Sequence, residues 1–390
     1  PLKMLPSFVK RPSGAEKGRY LAMDLGGTNL RILCVELDGR GGANVTAMSR
    51  FGVAKHLMNG PGAALFDFMA QCLADFLRQN SIGPDDRPAL AFTFSFPTEQ
   101  TAIAAGRLII WTKGFSASGV VGQDVVKLLE EALARKGLRF IRITALVNDT
   151  IGTLVSKSYA DRSCDAGVIL GTGTNACYPE KISNIARNKN PGRDGEMIIN
   201  IEWGNFAGLA QTPYDVELDK CSRNPGFQFL EKMVSGMYLG ALASKMLADM
   251  GLRGVSEFFR GGHELKTEDM SRIAGNDFRA LAESGLEHIG PDERKTLQNI
   301  CGLTARRSAR LAGAAIAAVI TWMDPQLLRE HLVGIDGSLF ELYPRYRENI
   351  CGVFDDIFGA KARGIRLELA KDGSGIGAAI TAAIAEQTGQ

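Results

Sequence analysis

One eight-residue pattern occurs twice in this chain. Residues 22–29 read A-M-D-L-G-G-T-N, and residues 168–175 read V-I-L-G-T-G-T-N. Each runs from an apolar strand through a Gly/Thr turn to an Asn and on toward a second strand. The copies lie about 150 residues apart, one domain length. A chain of 390 residues is long for a single core. The repeat therefore predicts two related α/β halves, each opening on its own copy of the turn. No short repeat of the solenoid kind accompanies it.

The first half starts with strands at 20–24, 30–37 and near 45–53, joined by tight turns into an antiparallel unit. A helix at 63–79 has one apolar face. Strands follow at 89–96 and 108–115, then a helix at 121–135 and a strand at 140–147. The second half restarts with strands at 164–170, 177–179 and 197–203, and a polar loop comes next. Helical segments fill 226–252 and 256–298, and a helix covers 301–323. Strands at 331–336 and 365–370 bracket a helix at 345–358, and a helix at 377–385 closes the chain. The strand at 140–147 runs into Asn148 and Asp149 and then at once into a helix-like run at 151–159. Open α/β sheets bind ligands at the carboxyl ends of their strands. By themselves, however, Asn148 and Asp149 read as ordinary helix N-caps.

Composition narrows the partners. Lys plus Arg total 45 against 43 Asp plus Glu, a net charge of +2. No dense basic stripe interrupts that balance, so no nucleic acid is expected. The 7 Cys are scattered without a C-x-x-C pair, and the 4 His show no metal-ligand spacing. That argues against a disulfide framework or zinc site and for a reducing, cytoplasmic compartment. The longest apolar run, 311–323, is too short to span a bilayer, and no signal-peptide core opens the sequence. No membrane partner is expected.

Basic groups should then act singly, on a small anion. No Gly-Lys pair exists, which excludes a Walker A loop. In D-L-G-G-T-N-L-R, Asp24 ends a strand, Gly26, Gly27, Thr28 and Asn29 form the turn, and Arg31 follows. Gly-Gly alone is a common hairpin turn. Turn amides, a hydroxyl and a guanidinium nevertheless suit phosphate oxygens, and the carboxylate suits hydrated Mg²⁺. Gly171, Thr172 and Gly173 repeat that chemistry, so the pair reads as two phosphate clips facing one cleft. Gly334, Asp336, Gly337 and Ser338 form a later turn straight after an apolar strand, and K-D-G-S-G at 371–375 forms another. Thr112 and Lys113 sit between aromatics in W-T-K-G-F, Glu202 precedes Trp203, and Glu231 starts a helix. In isolation these read as a surface turn and solvated charges.

Taken in order, the motifs resemble the hexokinase and glucokinase family over nearly the whole chain. They are M-L-P-S-F-V, L-A-M-D-L-G-G-T-N-L-R-I-L, F-T-F-S-F-P, W-T-K-G-F, V-N-D-T-I-G-T, V-I-L-G-T-G-T-N-A-C-Y, N-I-E-W-G, N-P-G-F-Q-F-L-E-K-M-V-S-G-M-Y-L-G, V-G-I-D-G-S and D-G-S-G-I-G-A-A. The resemblance implies two actin-like (ribonuclease-H-like) α/β domains around a central cleft. The small domain would be 11–147 plus 376–390, and the large domain 1–10 plus 148–375. It implies transfer of the ATP γ-phosphoryl group to the 6-hydroxyl of glucose, giving hexose 6-phosphate for glycolysis. Sugar contacts fall on Ser95, Thr112, Lys113, Asn148, Asp149, Asn175, Glu202 and Glu231, with Asp149 as general base and Lys113 assisting. ATP contacts fall on Gly26, Gly27, Thr28, Asn29 and Arg31, on Gly171, Thr172 and Gly173, on Thr267 and Ser271, and on Gly334, Asp336, Gly337 and Ser338. Asp24 would hold Mg²⁺ through water.

Ala241 departs from the Glu often found after Y-L-G, and the loop after Trp203 is short for the family. Alternatives stay open: a kinase for mannose, fructose or an amino sugar, or a sugar sensor without turnover. Monomer and homodimer are both open as well.

Overall fold

The computed structural model describes residues 2–27, 29–185, 195–252, 254–279, 286 and 289–388. Its strands are β1 (Leu5–Pro6), β2 (Lys17–Leu25), β3 (Asn29–Asp38), β4 (Ala43–Gly52), β5 (Ala89–Phe94), β6 (Thr98–Ala102), β7 (Ala105–Leu108), β8 (Arg142–Val147), β9 (Cys164–Leu170), β10 (Thr174–Lys181), β11 (Glu196–Asn200), β12 (His331–Asp336) and β13 (Ile365–Leu369). The main helices are α1 (Gly62–Gln79), α2 (Val125–Arg135), α3 (Asp149–Ala160), α4 (Pro213–Cys221), α5 (Phe229–Val234), α6 (Gly236–Asp249), α7 (Thr267–Ala274), α8 (Pro291–Met323), α9 (Tyr346–Phe358) and α10 (Gly373–Thr388).

The repeat seen in the sequence is a repeat of topology. One sheet has the order β4-β3-β2-β5-β8, the other β1-β11-β10-β9-β12-β13. Leaving β1 aside, each is an antiparallel three-strand meander extended by two parallel strands beside its first strand. The strand β5, A-L-A-F-T-F, lies between β2 and β8 and is buried along its whole length, as a strand covered on both faces should be. α1 buries Leu65, Phe66, Met69, Cys72, Leu73, Phe76 and Leu77, the i, i+3, i+4 set of one helix face.

α3 and α10 lie against each other between the two sheets. Their apolar residues Ile151, Leu154, Val155, Ala378, Ala379 and Ala382 share one core with Ala22, Leu33 and Ala91 of the first sheet and Cys177, Ile198 and Leu332 of the second. The helices approach at glycines. A Cβ on Gly377 would lie 1.8 Å from the Gly152 carbonyl oxygen. All seven cysteines are free, and among the described residues no helix is long and apolar enough to cross a membrane.

Some expected elements differ. Residues 109–115 form a loop instead of continuing a strand, because Lys113 and Gly114 take left-handed φ values of 53° and 84°, which end an extended run. The helical stretch at 226–252 breaks at Ser235, whose φ and ψ are −80° and 150°. The helix expected at 301–323 starts earlier, at Pro291. The polar loop after Trp203 contains α4, fastened by Arg307 donating twice to Asp215, at 2.8 Å each.

Candidate active site

The site starts where β8 ends. Asn148 caps α3: its Oδ1 accepts from the Thr150 amide at 3.0 Å and the Thr150 hydroxyl at 2.7 Å. That leaves Asp149 as the first helical residue, at the positive end of the helix dipole. Its Oδ1 accepts from Thr150 N at 3.0 Å, and its Oδ2 accepts from Lys113 Nζ at 3.0 Å. The loop carrying Lys113 is braced by aromatic packing. Trp111 stacks on Phe115 at 5.3 Å, and Phe96 meets both edge-on at 4.7 and 5.0 Å. Trp111 Nε1 donates to Ala117 O at 2.8 Å. Burial pulls the Lys113 pKa down, but Asp149, and then Glu231 and Glu202, outweigh it and keep the ammonium more basic than usual.

The second half supplies the opposite wall. Asn175 lies on β10, Glu202 just past β11, and Glu231 in the first turn of α5. Lys113, Glu202 and Gln228 all sit at left-handed φ, 53°, 55° and 58°. Such strain in non-glycine residues persists only where the surroundings enforce it, and it concentrates at functional sites. Burial raises both carboxyls. Glu231 is pushed up to about 7, with Lys113 opposing burial and Glu202 adding to it. Glu202 moves in the same direction, opposed by Lys3 and by the amide of Asn200.

Ser95, Thr112, Lys113, Asn148, Asp149, Asn175, Glu202 and Glu231, the eight expected sugar contacts, line one groove together with Pro97 and Gln228. Its cavity is about 20 Å³, room for about one water. A pyranose therefore needs Lys113 to leave Asp149 or the two walls to part.

Ser95, Lys113 and Asp149 also line an adjoining cavity of about 200 Å³. Its other walls include Asp24, Gly26, Gly27, Arg31, Gly171, Thr172, Gly173, Asp336, Gly337, Ser338 and Ser374. Gly171, Thr172 and Ser338 in turn border a third space, of about 600 Å³, with Thr267, Ser271, Leu339, Leu342 and Tyr343. The second turn is clamped from behind by the start of α6. Gly236 N donates to Gly171 O at 2.8 Å, and Met237 N to Thr172 O at 3.2 Å. Thr267 secures that helix by donating to Gly236 O at 2.6 Å.

Asp24 and Arg31 are register partners across β2 and β3. The guanidinium donates to Asp24 Oδ2, to Asp372 Oδ1 at 2.7 Å and to Ser374 Oγ at 2.6 Å. Arg31 thus pairs with the carboxylates of Asp24 and Asp372 while lining the same cavity as the paired turns. Ser374 also donates to Asp24 Oδ2, at 2.8 Å. Asp24 Oδ1 is left buried with no partner among the described residues, a position that suits a metal-bound water. Burial pushes Asp336 up to about 6, against Arg31 and with Asp24 and Asp149 adding to it.

Gly334 stands apart from these cavities. It lies inside β12, where a Cβ would meet Lys157 at 2.9 Å, so close packing on α3 accounts for its lack of a side chain. Asn29 begins β3 and does not line the cavities described above. Thr28 lies outside the described residues. The sequence reading missed Gln228, Asn200 and Ser374. Each lay inside a motif already singled out (N-P-G-F-Q-F, N-I-E-W, D-G-S-G), but no local signal separated it from its neighbours.

Two halves of one strand order, with their turns and carboxylates on a shared groove, define an actin-like sugar kinase. Family models described as hexokinase match residues 1–159 and 165–384. Hexokinase-7 of Oryza sativa subsp. japonica is 40% identical over 99% of this chain and 89% of its own length. Hexokinase-1 of Spinacia oleracea is 41% identical over 98% and 82%. Human hexokinase-2 is 38% identical, but this chain spans only 44% of it. Among solved structures, a hexokinase from Schistosoma mansoni complexed with glucose superposes with a TM-score of 0.88 at 35% identity, covering 98% of this chain and 89% of the other. The chain belongs to the hexokinase family. Its activity at that level is ATP-dependent phosphorylation of a hexose.

Proposed function

We propose that this chain phosphorylates the 6-hydroxyl of glucose from MgATP, with Asp149 as general base and hexose 6-phosphate passing to glycolysis. The observation that carries the reading is that Asp149 and Lys113 stand on both the narrow groove of the expected sugar contacts and the cavity of the paired turns. A hydroxyl in the groove would thus meet a phosphoryl group arriving from the turns. In the proposal, Asn148, Asn175, Glu202 and Glu231 bind the ring hydroxyls in fixed directions. Asp149 accepts a hydrogen bond from the 6-hydroxyl and takes its proton as the phosphoryl group moves. In a loose transition state, orienting that hydroxyl matters more than removing its proton early. Lys113, displaced from Asp149 by the sugar, keeps a positive charge beside the developing negative charge. Bound Mg²⁺ would neutralise phosphate oxygens from a water-mediated place at Asp24 Oδ1. Arg31 and Ser374 hold the other oxygen of Asp24 and so fix where Oδ1 points.

The small domain is taken as 11–147 plus 376–390 and the large domain as 1–10 plus 148–375. Packing of α10 on the first sheet and pairing of β1 with β11 support that division. Initial rates with glucose, mannose, fructose and N-acetylglucosamine under MgATP test the sugar assignment. A higher kcat/KM for another hexose would overturn the glucose reading. Sugar binding without release of ADP would point to a sensor.

Two predictions follow from the site. Glu231 titrates near 7, and its ionised form is the stronger acceptor for a sugar hydroxyl. Hexose kcat/KM should therefore rise between about pH 6 and about pH 8, the apparent pKa belonging to the Glu231, Glu202 and Lys113 group. Glu231→Gln should flatten that limb, and an unchanged profile would count against the assignment. The same raised pKa means the folded chain keeps a proton that the unfolded chain loses. The stability it contributes is complete below the ordinary value of 4.5 and is lost as pH climbs through about 7.

Gly337 has a φ of 125°, and a Cβ there would lie 2.3 Å from Leu170 O and 2.7 Å from Gly171 N. Gly337→Ala should push the two turns apart, with strain on the order of 1–3 kcal/mol. The KM for ATP should rise about tenfold or more while hexose affinity, measured by calorimetry, stays within about threefold. Equal losses for both substrates would contradict it.

A further inference from the structure

We propose that Asn200 is a positioning residue for sugar recognition: it sets the amide of Asn175 and the carboxylate of Glu202 in the orientation that meets the ring hydroxyls. The inference rests on the sugar groove proposed above and goes beyond it, because Asn200 does not line that groove.

Its role follows from donors that cannot be reversed. The backbone amides of Ala176 and Glu202 both point at Asn175 Oδ1, at 2.8 and 3.0 Å. That atom must be the oxygen, because a side-chain NH₂ cannot accept from an amide. Asn175 therefore presents its Nδ2 to Asn200 Oδ1, at 2.8 Å. Asn200 is then oriented in its turn, and its Nδ2 donates to Glu202 Oε1 at 2.9 Å. The chain of bonds runs one way, from fixed backbone donors through two amides to one carboxylate oxygen. One hydrogen of Asn175 Nδ2 is thereby bound. The other makes only long bonds, 3.3 Å to Glu202 Oε1 and 3.4 Å to Asn148 Oδ1, which a sugar hydroxyl would replace. On Glu202 the donors fall on Oε1, so Oε2 is the acceptor left for the sugar. Asn200 is held in place by its register with Cys177 on β10 and Leu5 on β1, and it is buried.

Only a group that accepts on one side and donates on the other can fill this place. Leucine has the size and neither function. Aspartate has the shape, but it can donate to Glu202 only when protonated, and when ionised it repels that carboxylate. In Asn200→Leu the hexose KM should rise about tenfold or more, with kcat within about threefold and the KM for ATP unchanged. In Asn200→Asp the ratio of its hexose KM to that of the wild type should be large at about pH 8 and shrink toward one by about pH 6, as the new carboxyl gains its proton. A residue that merely filled space would give a ratio independent of pH. A pH-independent ratio, or an Asn200→Leu enzyme with hexose KM within about twofold of wild type, overturns the inference. If Asn200→Leu shows no cooperative unfolding, the Asn200→Asp ratio alone decides. Glu202→Gln separates the two levels. If it raises the hexose KM and the Asn200 variants do not, the groove stands and the role of Asn200 falls. If the wild type phosphorylates no hexose, the reading of the groove itself falls.

Discussion

Asp149→Asn should lower kcat by about 10²–10⁴-fold, the usual contribution of a positioned base, and raise the hexose KM far less. The asymmetry comes from what the substitution keeps. Asp149 Oδ1 accepts from Thr150 N, and an Asn oxygen can do the same. The cap of α3 belongs to Asn148, so the helix does not depend on residue 149 for its start. What disappears is the carboxylate that the proposed mechanism uses to take the proton of the sugar hydroxyl. Lys113 loses its partner at 3.0 Å but remains near Glu231 and Glu202, which also favour its charge. Steady-state rates with saturating MgATP, with thermal unfolding alongside to show an intact fold, check the expectation. A kcat within tenfold of wild type would remove Asp149 from its proposed role.

Gly377→Ala should destabilise the protein by roughly 3 kcal/mol or more, the upper part of the overpacking range. On an exposed helix the same change would stabilise by about 1 kcal/mol, since Ala is the better helix former. Here the new Cβ would meet Gly152 O at 1.8 Å, its carbonyl carbon at 2.5 Å and its Cα at 2.6 Å. These are backbone atoms of α3 and cannot rotate away. Nor can the helices separate freely, because α3 and α10 are packed between the two sheets. Gly302 in α8 is the control: a Cβ there meets nothing within 4 Å. Gly302→Ala should therefore be neutral or stabilising. The urea midpoint should fall in Gly377→Ala and stay or rise in Gly302→Ala, and equal midpoints would refute the packing argument. Activity should also suffer in Gly377→Ala, since Asp149 opens the helix that is pushed, and a misplacement of about 1 Å can cost on the order of 10²-fold in rate.

How much of this was legible varies by element. β12 has the bounds its apolar run suggested, 331–336, because a continuous buried strand is written in consecutive residues. The hairpin of β6 and β7 escaped notice, since T-E-Q-T-A lacks apolar alternation and is paired only through its partner strand. The loop at 109–115 looked like a strand because I-I-W is apolar. Its aromatics are used instead to pack Phe96, Trp111 and Phe115 under Lys113. Gly334 and Gly337 were indistinguishable in G-I-D-G-S. One proves to be a close approach to α3 and the other a positive-φ contact between two turns.

By itself the sequence determined that there are two halves, that each opens on a Gly/Thr turn, and that a strand ending in Asn148 and Asp149 leads directly into a helix. Those features are local: hydrophobic period, turn chemistry and capping are encoded within a few residues of where they act. Tertiary structure alone decided what meets what. It set Lys113 against Asp149, turned Arg31 toward carboxylates, and ran a one-way line of hydrogen bonds from two backbone amides through Asn175 and Asn200 to Glu202. It also decided that the repeated turns touch a common cavity, because that depends on α3 and α10 crossing at glycines between the sheets. Contacts between residues on different elements follow from packing and register across the whole fold, and the local sequence signals do not contain them.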